Sequence, residues 1–100
     1  MNSNYKTPFV QFVKKQTRPL QARIEDEVQA ICAQPTLGEL KVGDLANIRV
    51  HKFKHQRQEY LIAYRTTAEN GIEFFSIAFY KIGTHENFYT ELKKYLLHSS

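Results

Sequence analysis

Ile72-Glu73-Phe74-Phe75-Ser76-Ile77-Ala78-Phe79-Tyr80 decides the reading of the fold. Under the two-residue repeat of a strand, Ile72, Phe74 and Ala78 share one face and Phe75, Ile77 and Phe79 the other, so both faces are apolar. Such a strand is covered on both sides, and the rest of the chain must supply the two covers.

Upstream, residues 48–54 and 60–66 also read as extended, and the third strand continues to Lys81. Polar turns link them at residues 55–58 and 67–71, the second containing Asn70-Gly71, a pair that tolerates positive φ and favours a hairpin. Three sequential strands with short links give an antiparallel meander.

The covers lie outside the meander. Thr7-Pro8 reads as a helix start, with Phe9, Phe12 and Val13 on one face. Thr17 and Pro19 open a second helix, whose Leu20, Ile24, Val28 and Ile31 form a stripe and which Pro35 stops. Together they form a helical hairpin for one side of the sheet. Residues 36–46, with Gly38 and Gly43, read as a loop. A last helix over residues 84–97, with Phe88, Leu92 and Leu96 inward, can lie on the other side. Met1 to Lys6 is polar and reads as a frayed terminus. The expectation is an α+β fold: an N-terminal helical hairpin packed on a three- to four-stranded antiparallel sheet, with a C-terminal helix. At 100 residues it is one domain, residues 1–100.

The net charge of +4 favours polyanionic partners where it is clustered. Lys41, Arg49, Lys52, Lys54, Arg57 and Arg65 face only Asp44 and Glu59 between positions 41 and 65, a surplus equal to that of the whole chain. A single cysteine, Cys32, excludes an intrachain disulfide and a cysteine-based zinc site. His51 and His55 have no carboxylate or thiol at ligand spacing, so neither a metal nor another cofactor is expected. No apolar run is long enough for a membrane span and the N-terminus has no signal-like region, which points to the cytoplasm.

Gly83-Thr84-His85-Glu86-Asn87-Phe88-Tyr89 places a titratable imidazole where the third strand gives way to the last helix. Thr84 reads as the helix cap, with His85 at the first helical position and Tyr89 one turn on along the same face. Free N–H groups at such a start favour a phosphate. Cleavage of RNA needs a base for the 2′-hydroxyl, an acid for the departing 5′-oxygen and cations for the charge that develops on phosphorus. Histidine suits both proton transfers near neutrality. Arg49, Arg65 and Lys81 are expected close to His85, with His51, Lys52, Lys54, His55 and Arg57 as further contacts to RNA.

Residues 43–54, 58–64 and 83–89, followed by Leu92-Lys93, resemble the ParE-like branch of the RelE/ParE toxin superfamily of type II toxin–antitoxin systems. The resemblance spans residues 9–97, although the strand usual before the helical hairpin is not evident in this sequence. It implies a small toxin held by a cognate antitoxin. RelE-type members cut mRNA on the ribosome with scattered basic, histidine and tyrosine residues, whereas ParE-type members poison DNA gyrase by binding. The segment at 83–89 is similar to the Gly-Ser-His motif and following aromatic of RNase members. That likeness places His85 and Tyr89 in the active site of a metal-independent endoribonuclease; with the basic strand cluster, the expectation is that Arg49 and Arg65 contact phosphate or stabilise the transition state, His85 is base or acid, and Tyr89 stacks or positions. The alternative is a gyrase inhibitor.

Overall fold

The computed structural model describes residues 2–69 and 72–98. In chain order these form β1 (Asn2–Tyr5), α1 (Thr7–Lys14), α2 (Arg18–Ala33), β2 (Glu39–Leu40), a 3₁₀ turn (Gly43–Leu45), β3 (Arg49–His55), β4 (Gln58–Glu69), β5 (Ile72–Gly83) and α3 (Phe88–His98). The strands make one mixed sheet in the order β1-β5-β4-β3-β2. The α+β class, the hairpin of α1 and α2 and the C-terminal helix are as the sequence pattern indicates. The sheet is larger than expected.

Both additional strands are edges. Residues 2–5, expected to fray, pair parallel to β5 with Asn2 opposite Ser76 and Tyr5 opposite Phe79. An edge strand hydrogen-bonds on one side only and tolerates polar side chains, so it lacks the apolar signature of an inner strand. Tyr5 fastens it: its ring stacks on Phe79 at 5.2 Å and lies 5.5 Å from Phe9. At the opposite edge, Glu39 and Leu40 pair with Val50 and Arg49 inside the segment expected to be a loop.

β5 separates two cores. On the hairpin side, Leu20, Ile24, Val28 and Ile31 of α2 and Phe9 of α1 pack against Phe53, Ile62, Tyr64, Ile77 and Phe79. On the other side, Phe88 and Leu92 of α3 meet Leu45, Ile48, Val50, Leu61 and Ala63. Two covers on a doubly apolar strand are what its alternation requires. The side chains of Ile72, Phe74 and Phe75 and the Asn70-Gly71 turn lie outside the described residues.

The alternation is broken once. Ala63 pairs with Lys81 and Tyr64 with Phe79, so Tyr80 is the extra residue of a β-bulge. Tyr80 joins the α3-side core and Lys81 reaches α3, while Phe79 and Ile82 lie in the hairpin-side core. Two consecutive polar side chains thereby share the α3 face. The turn between β3 and β4 is tighter than residues 55–58: Gln56 and Arg57 have φ of 49° and 72°, as a two-residue primed turn demands.

Candidate functional site

The chain leaves β5 at Gly83 and enters α3 only at Phe88, a turn later than the expected start at Thr84. Between them Asn87 is left-handed, with φ of 59°, and its carbonyl accepts the Glu91 N–H at 2.9 Å. His85 is therefore in the turn, its carbonyl accepting the Phe88 N–H at 3.2 Å. It shares no helical face with Tyr89, and the expected phosphate site at its own helix start is absent from residues 84–87.

What holds His85 is a carboxylate. Its ring Nε2 donates to Glu59 Oε1 at 2.5 Å, leaving Nδ1 as the other ring nitrogen, and the His85 side chain is 53% exposed. Glu59 stands at the start of β4, directly opposite Lys54 on β3. One row further into the sheet Lys52 lies opposite Leu61, which in turn pairs with Gly83. This corner thus gathers His85, Glu59, Lys54 and Lys52 on the α3 face.

Tyr89 packs against the core on the same side of the sheet. Its ring stands edge-on to Phe88 at 5.2 Å, and the Lys41 ammonium lies 5.6 Å from its centroid. Lys41 also pairs with Glu39 at 2.5 Å. The hydrogen bond to Glu39, with lesser help from Tyr89, holds the Lys41 ammonium above its usual pKa; the same bond and the fields of Lys41 and Lys52 hold Glu39 below its own.

The arginines stand elsewhere, against expectation. Arg49 alternates onto the hairpin side, where its guanidinium donates to the Gly38 carbonyl at 2.9 Å. Arg65 shares the face of His85 but lies six residues along β4 from Glu59, roughly 20 Å at the rise of a strand. Its guanidinium sits 5.6 Å from the Tyr80 ring centroid. Strand alternation decides the first placement, and the length of β4 the second.

Of the other expected contacts, His51 also faces α2, where Nε2 meets Glu27 Oε1 at 2.6 Å and only 14% of the side chain is exposed. His55 has its Nε2 buried without a hydrogen-bond partner among the described residues. Arg57 is exposed in the β3–β4 turn. Lys81 is bound to Glu91 at 2.9 Å, which lowers the pKa of that carboxyl and ties β5 to α3. Glu59 was not among the expected site residues. Its place opposite Lys54 follows once the hairpin turn is recognised as two residues long.

Among the described residues, no helix is long and apolar enough to cross a membrane. A helical hairpin on one sheet face and a terminal helix on the other define a fold class already represented by a chain in the crystal structure of the intact E. coli RelBE toxin–antitoxin complex. The two share a TM-score of 0.64 and 11% identity over 83% of this chain and 94% of that one, a likeness of fold. The family model described as the ParE-like toxin of type II bacterial toxin–antitoxin systems matches residues 4–93, and the chain belongs to that family. Comparison with the curated proteins gives no match.

Proposed function

We propose that the chain is a toxin that cleaves RNA, with mRNA in the ribosomal A site as the substrate, and that a cognate antitoxin holds it inactive in the cytoplasm. The observation that carries this reading is the His85–Glu59 pair beside Lys54 and Lys52. A carboxylate on one ring nitrogen fixes the orientation of an imidazole and leaves the other free for proton transfer. In the proposed reaction the 2′-oxygen attacks the adjacent phosphorus while the P–O5′ bond breaks. The products are a 2′,3′-cyclic phosphate and a free 5′-hydroxyl. His85 Nδ1 takes the 2′-hydroxyl proton or supplies one to the departing oxygen, Lys52 and Lys54 offset the charge on phosphorus, and Tyr89 positions a base.

Primer extension on mRNA incubated with ribosomes and the purified chain tests it. His85→Ala is expected to slow cleavage by about 10² to 10⁴, the range of general acid–base help. Undiminished cutting by that variant, or no cutting by the wild type, would sink the assignment. A second reading, docking on DNA gyrase without RNA cleavage, is favoured by the distance of Arg49 and Arg65 from His85 and by the placement of His51 against α2, which leaves one imidazole in the corner for two proton transfers. A supercoiling assay separates the two: inhibition of gyrase with intact RNA belongs to the second alone.

A further inference from the structure

Beyond the cover of α3, the same face of the sheet carries a second group of cations. Arg65 approaches the Tyr80 ring from β4 and Lys6 approaches it from the end of β1, at 5.6 and 5.9 Å from the centroid. Tyr95 of α3 stands edge-on to Tyr80 at 6.2 Å. Lys41, Lys81 and Arg23 each have a carboxylate partner, whereas among the residues whose side chains are described, 2–67 and 76–98, Lys6 and Arg65 have none within 4.0 Å. Arg65 Nε is buried with no hydrogen-bond partner among them.

The surface around these cations is polar and open. Asn4 pairs with Ala78 and Ser76 with Thr67, so their side chains share the face of Arg65, which also pairs with Ala78. Asn4 and Thr67 are exposed, and Ser76, Tyr80 and Tyr95 are half-buried. Fixed cations, a partly open tyrosine ring and short hydrogen-bonding side chains on a flat sheet match what an unpaired nucleic-acid strand offers: phosphates, base faces and sugar hydroxyls. A duplex hides its bases from such a surface.

We infer that Lys6, Arg65, Tyr95 and the polar side chains beside them form a binding surface for single-stranded RNA, remote from the His85 corner. Lys6 and Arg65 hold phosphates, with the Tyr80 ring orienting both cations from below. A base stacks on Tyr95, and Asn4 with the Ser76–Thr67 pair reaches sugar hydroxyls and base edges. The choice of RNA rests on the proposed cleavage reaction; the cation and aromatic geometry does not. With roughly 20 Å between this surface and Glu59, it anchors a part of the strand away from the bond to be cut.

Fluorescence anisotropy with a ten-nucleotide, end-labelled single-stranded RNA tests this on the full chain. Arg65→Gln and Lys6→Gln are each expected to weaken binding about tenfold and to lower the salt slope by about 0.7. Tyr95→Ala should weaken it by a similar factor through lost stacking, about tenfold, while Tyr95→Phe keeps the ring and the affinity. Arg65→Lys, which keeps the charge, should recover most of the loss and guards against a merely misfolded variant. Lys14→Gln, on the opposite face, should change nothing. The inference is overturned if the Lys6→Gln/Arg65→Gln double variant binds within twofold of the wild type, or if DNA of the same sequence binds as tightly as RNA. Failure of the cleavage reading looks different: the wild type cuts no RNA, yet affinity still depends on Lys6 and Arg65.

Discussion

Tyr64→Phe removes a single oxygen from the middle of the sheet and tests how the helical hairpin is joined to it. The Tyr64 side chain is fully buried, and its hydroxyl donates to the Pro35 carbonyl at 2.7 Å while accepting the Gly38 N–H at 2.8 Å. One hydroxyl thus satisfies two backbone groups in the segment that leaves α2. The phenylalanine ring fills the same space, so no cavity term arises. The cost is the desolvation of the two groups left behind, about 1–3 kcal/mol for each buried orphan.

Leu37 and Glu39 are exposed, so water can reach the segment if it lifts, which places the total towards the lower end, about 2–3 kcal/mol. For a domain of this size that is a fall in Tm of roughly 8–24 °C. Urea denaturation followed by circular dichroism should show a lower midpoint with an unchanged slope. A loss under about 0.5 kcal/mol would refute the reasoning, because it would mean that neither backbone group depends on the hydroxyl in the folded state. Spectrophotometric titration adds a check. Burial pushes the phenol above its ordinary 10.0, so the unfolded chain gives up this proton first and stability falls as pH rises beyond that value.

Gly38→Ala should be worse than Tyr64→Phe: the new Cβ would stand 2.8 Å from both the ring edge and the hydroxyl of Tyr64, which is pinned by the core, and thermal melts would register the loss. Burial raises the Glu27 carboxyl, but hydrogen bonds from His51 and Arg23 outweigh it and the net pKa lies below the ordinary 4.5. Its stabilisation is therefore complete above pH 4.5 and lost as pH falls through the depressed value; Glu27→Gln should remove that part of the acid limb in melts recorded from pH 7 to 3. Asn87→Ala should destabilise by about 1 kcal/mol because of its left-handed backbone, whereas Asn87→Gly should be tolerated; equal effects of the two in urea melts would contradict the φ of 59°.

Inner elements were legible in the sequence because burial writes a period into them. The α2 stripe of Leu20, Ile24, Val28 and Ile31 is buried as its spacing indicates. Edge elements carry no such period: β1 reads NSNY with all four residues exposed, and β2 is two residues long. The site was only partly legible for a related reason. His85, Lys52 and Lys54 follow from local pattern, but Glu59 reaches His85 through hairpin register and tertiary folding, across 26 positions. Arg49 and Arg65, close to the others in composition, are separated by a face and by a strand's length. Clustering along the chain measures neither.

The same geometry limits what the net charge of +4 can do. On the hairpin side Arg49 is spent on the Gly38 carbonyl and Arg23 on Glu27, so these cations hold the fold and offer little to a polyanion. On the α3 face Lys81 and Lys41 are engaged by Glu91 and Glu39. Lys52 and Lys54 in the His85 corner and Lys6 and Arg65 beside Tyr80 are placed for phosphates, and exposed Lys14, Lys15, Arg18, Arg57 and Lys94 lie outside both groups. Contacts from the four cations of the two groups, at about 0.7 each, put the salt slope on a single strand near 3. A measured slope well above that would mean that cations outside these two groups also reach the RNA, and the restriction of binding to the two groups would then be wrong.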